Sequence, residues 1–96
     1  MAYQIRRGRD GNTNTIEVIE GNNLIFKMQS KHDLVFATVS LNQLWVLESL
    51  SDGRDLSTEV DLETGKAKSF QMKDGKKRHI TKWIYDKTTD AWELRD

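Results

Sequence analysis

Two histidines, no cysteine and a scatter of carboxylates are the groups in this chain from which reaction chemistry would have to be built. General acid–base or nucleophilic catalysis needs convergent His, carboxylate and Ser, Lys or Cys side chains. His32 sits in the polar stretch Ser30-Lys31-His32-Asp33 and His79 in a basic run, both settings of an exposed loop histidine. The two are distant in sequence, and Asp52-Gly53-Arg54-Asp55 lacks the alternating oxygen ligands of a calcium loop, so no metal site is expected. Gly8-Arg9-Asp10-Gly11 and Lys73-Asp74-Gly75-Lys76 have the composition of turns without the spacing of a phosphate loop. No enzyme activity and no cofactor are expected.

Binding chemistry has more to work with. Between Lys66 and Trp92 the chain combines cations with aromatic rings. Read as one strand, His79-Ile80-Thr81-Lys82-Trp83-Ile84-Tyr85 sends Ile80 and Ile84 to one face and His79, Trp83 and Tyr85 to the other. Rings beside cations suit a single-stranded nucleic acid, whose phosphates are tracked by cations while its bases stack. The expected site is Lys73, Lys76, Lys77, Arg78, Lys82, Trp83 and Tyr85, with the two rings as stacking platforms. The same residues also fit a structural role, with the rings paired across strands or at a homodimer seam and the lysines keeping a hairpin soluble.

Net charge is zero, and the zero is a sum of unequal segments: Arg6, Arg7 and Arg9 are followed by an acidic middle and then by the basic run. The acidic stretch from Glu48 to Glu63 supports a rival reading, a protein-interaction or inhibitory module that docks a partner on an acidic face or an exposed strand edge. Zero net charge favours that rival, and the basic run beside aromatics favours nucleic acid. Met1 to Asp10 contains no apolar run of the signal-peptide kind, and no stretch is long and apolar enough to span a bilayer, so a cytoplasmic protein is expected.

The elements that would position these groups are mostly strands. Asp10-Gly11, Gly21-Asn22, Asp52-Gly53, Thr64-Gly65 and Asp74-Gly75 punctuate the chain with turn chemistry. Ile16 and Val18 alternate with Glu17, and Leu24, Phe26 and Met28 with Ile25, Lys27 and Gln29, predicting a hairpin across Gly21-Asn22-Asn23. The run 34–39 is apolar on both faces and reads as a central strand. After it, Ser40 with Gln43 has the spacing of a capping box, and Val39 with Leu44 that of a hydrophobic staple. Together with the apolar side made by Leu44, Trp45, Leu47 and Leu50, they predict a helix over 41–51 that stops near Gly53. Ser57 to Leu62 and Lys66 to Met72 read as a further hairpin. A faint echo relates Gly8-Arg9-Asp10, Glu17-Val18, Phe26, Met28, Trp45 and Leu47 to Gly53-Arg54-Asp55, Glu59-Val60, Phe70, Met72, Trp92 and Leu94, as expected by chance where similar hairpins use similar residues.

The segment Phe36 to Asp52, F-A-T-V-S-L-N-Q-L-W-V-L-E-S-L-S-D, resembles the strand-to-helix junction of the positive cofactor four family of transcriptional coactivators. That resemblance implies a homodimer binding single-stranded DNA through curved sheets, with Trp45 as packing; no DNA-contacting residue is carried over from it. The expectation is an α+β fold, one domain over 1–96, with one or two antiparallel sheets of about six to eight strands packed by one main helix.

Overall fold

Period-two alternation continues through nearly the whole chain, and wherever a turn pair interrupts it the chain reverses. A computed structural model describes residues 2–80 and, beyond them, the backbone of 83–86 and 91–94. The strands are β1 (Tyr3–Asp10), β2 (Thr13–Glu20), β3 (Asn23–Ser30), β4 (Asp33–Ser40), β5 (Gln43–Ser49), β6 (Asp55–Asp61), β7 (Ala67–Lys73), β8 (Lys76–Ile80), β9 (Trp83–Asp86) and β10 (Ala91–Leu94). They form two five-stranded sheets, ordered β1-β2-β3-β10-β9 and β4-β5-β6-β7-β8. Every pairing is antiparallel except that of β10 with β3.

The architecture is all-β, which overturns the α+β expectation: no helix occurs among the described residues, and 41–51 is a turn followed by β5. The signals were real contacts of another kind. Ser40 and Gln43 close the β4–β5 hairpin as direct partners, and Val39 faces Leu44 across it. A pair three residues apart, or five apart, meets at a two-residue hairpin as well as at a helix start. Along β5 the buried positions are Leu44, Val46 and Glu48, continued by Leu50 just beyond it, a strict alternation with a carboxyl at an interior place. The run 34–39 is also corrected, because β4 is an edge strand pairing only with β5, with a bulge at Leu34/Phe36 and both Val35 and Phe36 exposed. Within the echo between halves, Met28 is buried whereas Met72 is exposed.

Ile16, Val18 and Met28 of the first sheet pack on Leu44, Val46 and Val60 of the second. Each such side chain contributes roughly 1.5–3 kcal/mol by leaving water. Close approach of β1 and β2 to β4 brings the sheets together on that side, and Arg7 Nη2 donates to the Leu34 carbonyl there at 3.4 Å. The opposite side ends in the edge strands β8 and β9.

The interior is not wholly apolar. Ser30, Glu48, Thr58, Ser69 and Gln71 are all buried, and Thr58 and Ser69 hydroxyls bond at 3.1 Å. Ser30 Oγ, on β3, donates to Glu48 Oε2, on β5, linking the two sheets directly. The same Ser30 oxygen accepts from His32 N at 3.0 Å, and Asn14 Nδ2 donates to the His32 carbonyl at 2.7 Å. Residues 31–32 are therefore held as the corner at which the chain leaves one sheet for the other.

Three hairpin tips share a backbone pattern, with positive φ at the first loop residue and Asn at the second: Gly11-Asn12 (φ 60), Gly21-Asn22 (φ 62) and Leu41-Asn42 (φ 55). Glycine adopts this conformation freely, whereas a residue with a Cβ gives up roughly 1–2 kcal/mol. Leu41 is also 91% exposed. The strained tip is fixed by its neighbour: Tyr3 Oη donates to Asn42 Oδ1 at 3.0 Å, Asn42 Nδ2 to Glu63 Oε1 at 2.7 Å, and Leu62 N to the Asn42 carbonyl at 2.8 Å. Desolvation, then the carboxylates of Glu20 and Glu63, hold the Tyr3 phenol above its ordinary value.

Two stability changes follow, both measurable by urea denaturation. Ser30→Ala removes a donor from a buried carboxyl oxygen and is expected to cost about 2 kcal/mol, where a cost under about 0.5 kcal/mol would show that the sheets do not depend on that bond. Leu41→Gly is expected to stabilise by about 0.5–1 kcal/mol, the relief of left-handed strain less the greater chain entropy of glycine, and destabilisation would contradict the strain.

Candidate nucleic-acid interface

The β7–β8 hairpin turns at Asp74-Gly75, both in left-handed backbone, as its tight loop requires. Its register puts Lys73 opposite Lys76, Met72 opposite Lys77, Gln71 opposite Arg78 and Phe70 opposite His79. Directly opposed residues share a face, so the buried Ser69 and Gln71 define the inner side and assign Arg78, Lys76 and Lys73 to it. Phe70, Met72, Lys77 and His79 occupy the outer side. Of the expected cations, Lys76, Lys77 and Arg78 therefore lie on the two faces of the edge strand β8, and Lys73 stands on its neighbour β7.

On the outer side the Lys77 ammonium stands 3.9 Å from the Phe70 ring centroid, and the Phe70 and His79 rings lie 5.1 Å apart at 40°. The row continues across the sheet from Phe70 to Ser57, Leu47 and Phe36. An exposed cation over a ring contributes about 0.5–1 kcal/mol, and here it keeps an apolar ring in solution beside positive charge. Phe70 is the ring that the sequence reading missed. Its alternation was visible, but its meeting with His79 depends on a cross-strand register that spacing alone does not reveal.

No ion pair joins Lys76, Lys77 or Arg78 to a carboxylate among the described residues, whereas Arg6 pairs with Glu17 and Arg54 with Asp52. Lys73 is the exception in its field. A side-chain hydrogen bond from Arg54, with added attraction from Arg54 and Lys73, holds the Asp52 carboxyl below its ordinary value. Two lysines facing one another at Lys73 and Lys76 oppose hairpin formation rather than support it.

The rest of the expected site is divided. The single strand read through 79–85 is two strands: β8 ends at Ile80 in the second sheet, and β9 begins at Trp83 in the first. Alternation from His79 to Tyr85 therefore does not place these residues on one face. Lys82 and the side chains of Trp83 and Tyr85 lie outside the described residues. The acidic stretch also shrinks, since Glu48 is wholly buried and cannot belong to an acidic face. No group of three or more His, Asp or Glu side chains gathers to hold a metal among the described residues.

If the β8 cations serve no structural pairing, reversing them leaves the fold intact. Lys76→Glu with Arg78→Glu is expected to change stability by no more than about 0.5 kcal/mol, or to raise it as the carboxylate introduced opposite Lys73 attracts that lysine. A loss above about 1 kcal/mol in thermal denaturation would show that these cations hold the edge in place. No family model matches this chain, and no curated protein or solved structure matches it either.

Proposed function

We propose that the protein binds single-stranded nucleic acid along the β8 edge, with Lys76, Lys77 and Arg78 contacting phosphates and the Phe70–His79 ring pair receiving a base. The observation that carries this reading is the set of exposed cations without described carboxylate partners, placed around a ring pair formed by Phe70 of β7 and His79 of the edge strand β8. Cations on both faces of an edge suit a flexible polyanion that can wrap it, and a flat ring on the outer face suits an unpaired base. Lys73 adds charge at the hairpin tip, with its field shared with Asp52. Lys82, Trp83 and Tyr85 remain part of the proposal as the continuation of the chain beyond this strand.

Fluorescence anisotropy of a labelled oligothymidylate, titrated with protein at several salt concentrations, tests the reading. Binding is expected to saturate and to weaken with salt, its logarithmic slope losing about 0.7 for each phosphate-contacting cation removed. Lys77→Glu with Arg78→Glu should reduce affinity at least about tenfold and flatten that slope. Phe70→Ala should cost about 1–3 kcal/mol of binding with the slope unchanged, because stacking involves no counterion. Absence of saturable binding at low salt would overturn the proposal, and equal binding to a duplex of the same length would remove the stacking role of Phe70.

A further inference from the structure

Alternating strand directions bring one group of turns to a single end of the molecule: the start of β1, the β2–β3 tip, the β4–β5 tip and the β6–β7 turn. Leu41 projects there, in left-handed backbone and 91% exposed, at a position where the two sibling tips use glycine. It is held by the hydrogen bonds through Asn42 to Tyr3, Glu63 and Leu62, so its presentation is rigid. A strained, preorganised and exposed leucine is a poor choice for a free surface and a good one for an anchor, because ordering at the moment of contact costs little.

The surroundings state what the anchor meets. Ser40, Leu41, Asn42, Gln43, Asp61 and Glu63 line one depression. Glu20 adds a third carboxylate, close enough to Tyr3 to act on its phenol, while Lys66 follows in the β6–β7 turn. Two such acidic ends would repel each other, which disfavours a symmetric contact of tip against tip. The complement is on the same chain: the β7–β8 hairpin carries Met72, which is 41% exposed, opposite Lys77 on its outer face, with Lys73 and Lys76 flanking its tip on the other. Net charge of zero leaves no general repulsion between copies.

We infer that the Leu41 end docks on the β7–β8 hairpin of a second copy of this chain, with Leu41 against Met72 and the carboxylates of Asp61 and Glu63 facing the hairpin lysines. The contact joins different patches on the two copies, so it repeats head to tail and grows beyond a dimer. The contact requires no nucleic acid, and because it uses Lys76 and Lys77 it competes with nucleic acid for the β7–β8 hairpin.

Sedimentation equilibrium of the full chain without nucleic acid tests it. The wild-type protein is expected to self-associate across the micromolar to millimolar range, more weakly at high salt. Leu41→Gly retains the turn and should weaken association at least about tenfold, and Lys76→Glu with Lys77→Glu should do the same from the other side. Mixed together, these two variants should form a complex that stops at a dimer, because one keeps the hairpin and the other the anchor. A wild-type protein that stays monomeric, a Leu41→Gly protein that associates as well as wild type, or a mixture that stays monomeric would each overturn the inference.

Discussion

One buried hydrogen bond sets the frame of this molecule. Ser30 and Glu48 meet between the sheets, where neither has bulk water to replace the other, and a polar group left alone in such a place costs about 1–3 kcal/mol. The bond fixes β3 against β5, and through His32 it also fixes the corner at which the chain changes sheets. The apolar set on either side, Ile16, Val18 and Met28 against Leu44, Val46 and Val60, supplies most of the driving force but little of the registration, because apolar contact is not directional. Polar pairing inside the core is what selects one alignment of the sheets.

That frame leaves the two sides of the molecule unequal. Near β1 and β4 the sheets approach closely, whereas β8 and β9 end the other side as separate edges. An edge strand exposes unpaired backbone groups, and lysines along it discourage pairing with other chains' strands. Charge on β8 serves that end, but protection alone does not call for two lysines facing each other at Lys73 and Lys76, nor for a ring pair under Lys77. Under the function proposed above, contact with a polyanion would give those features a common cause.

Legibility in the sequence was uneven for physical reasons. The hairpins through Ile16 to Met28 and Ser57 to Met72 follow from alternation and glycine turns, and both are present. The segment 41–51 misled because Glu48 occupies an interior place, which broke the apolar alternation and left Leu44, Trp45, Leu47 and Leu50 to mimic a helical face. Leu41 completed the error by standing where glycine would have announced a turn. At the candidate site the cations were legible as a basic run, but their distribution over two faces was not. Nor was the break after Ile80, since sequence spacing carries no information on which sheet a strand joins.

Backbone-amide nuclear magnetic resonance during titration with a short single-stranded oligonucleotide at low salt locates the contact directly. Binding at the β8 edge predicts shifts concentrated in 70–80, largest along β8, and their return on adding salt. Shifts confined to other strands, or none in β8 at saturating oligonucleotide, would contradict it.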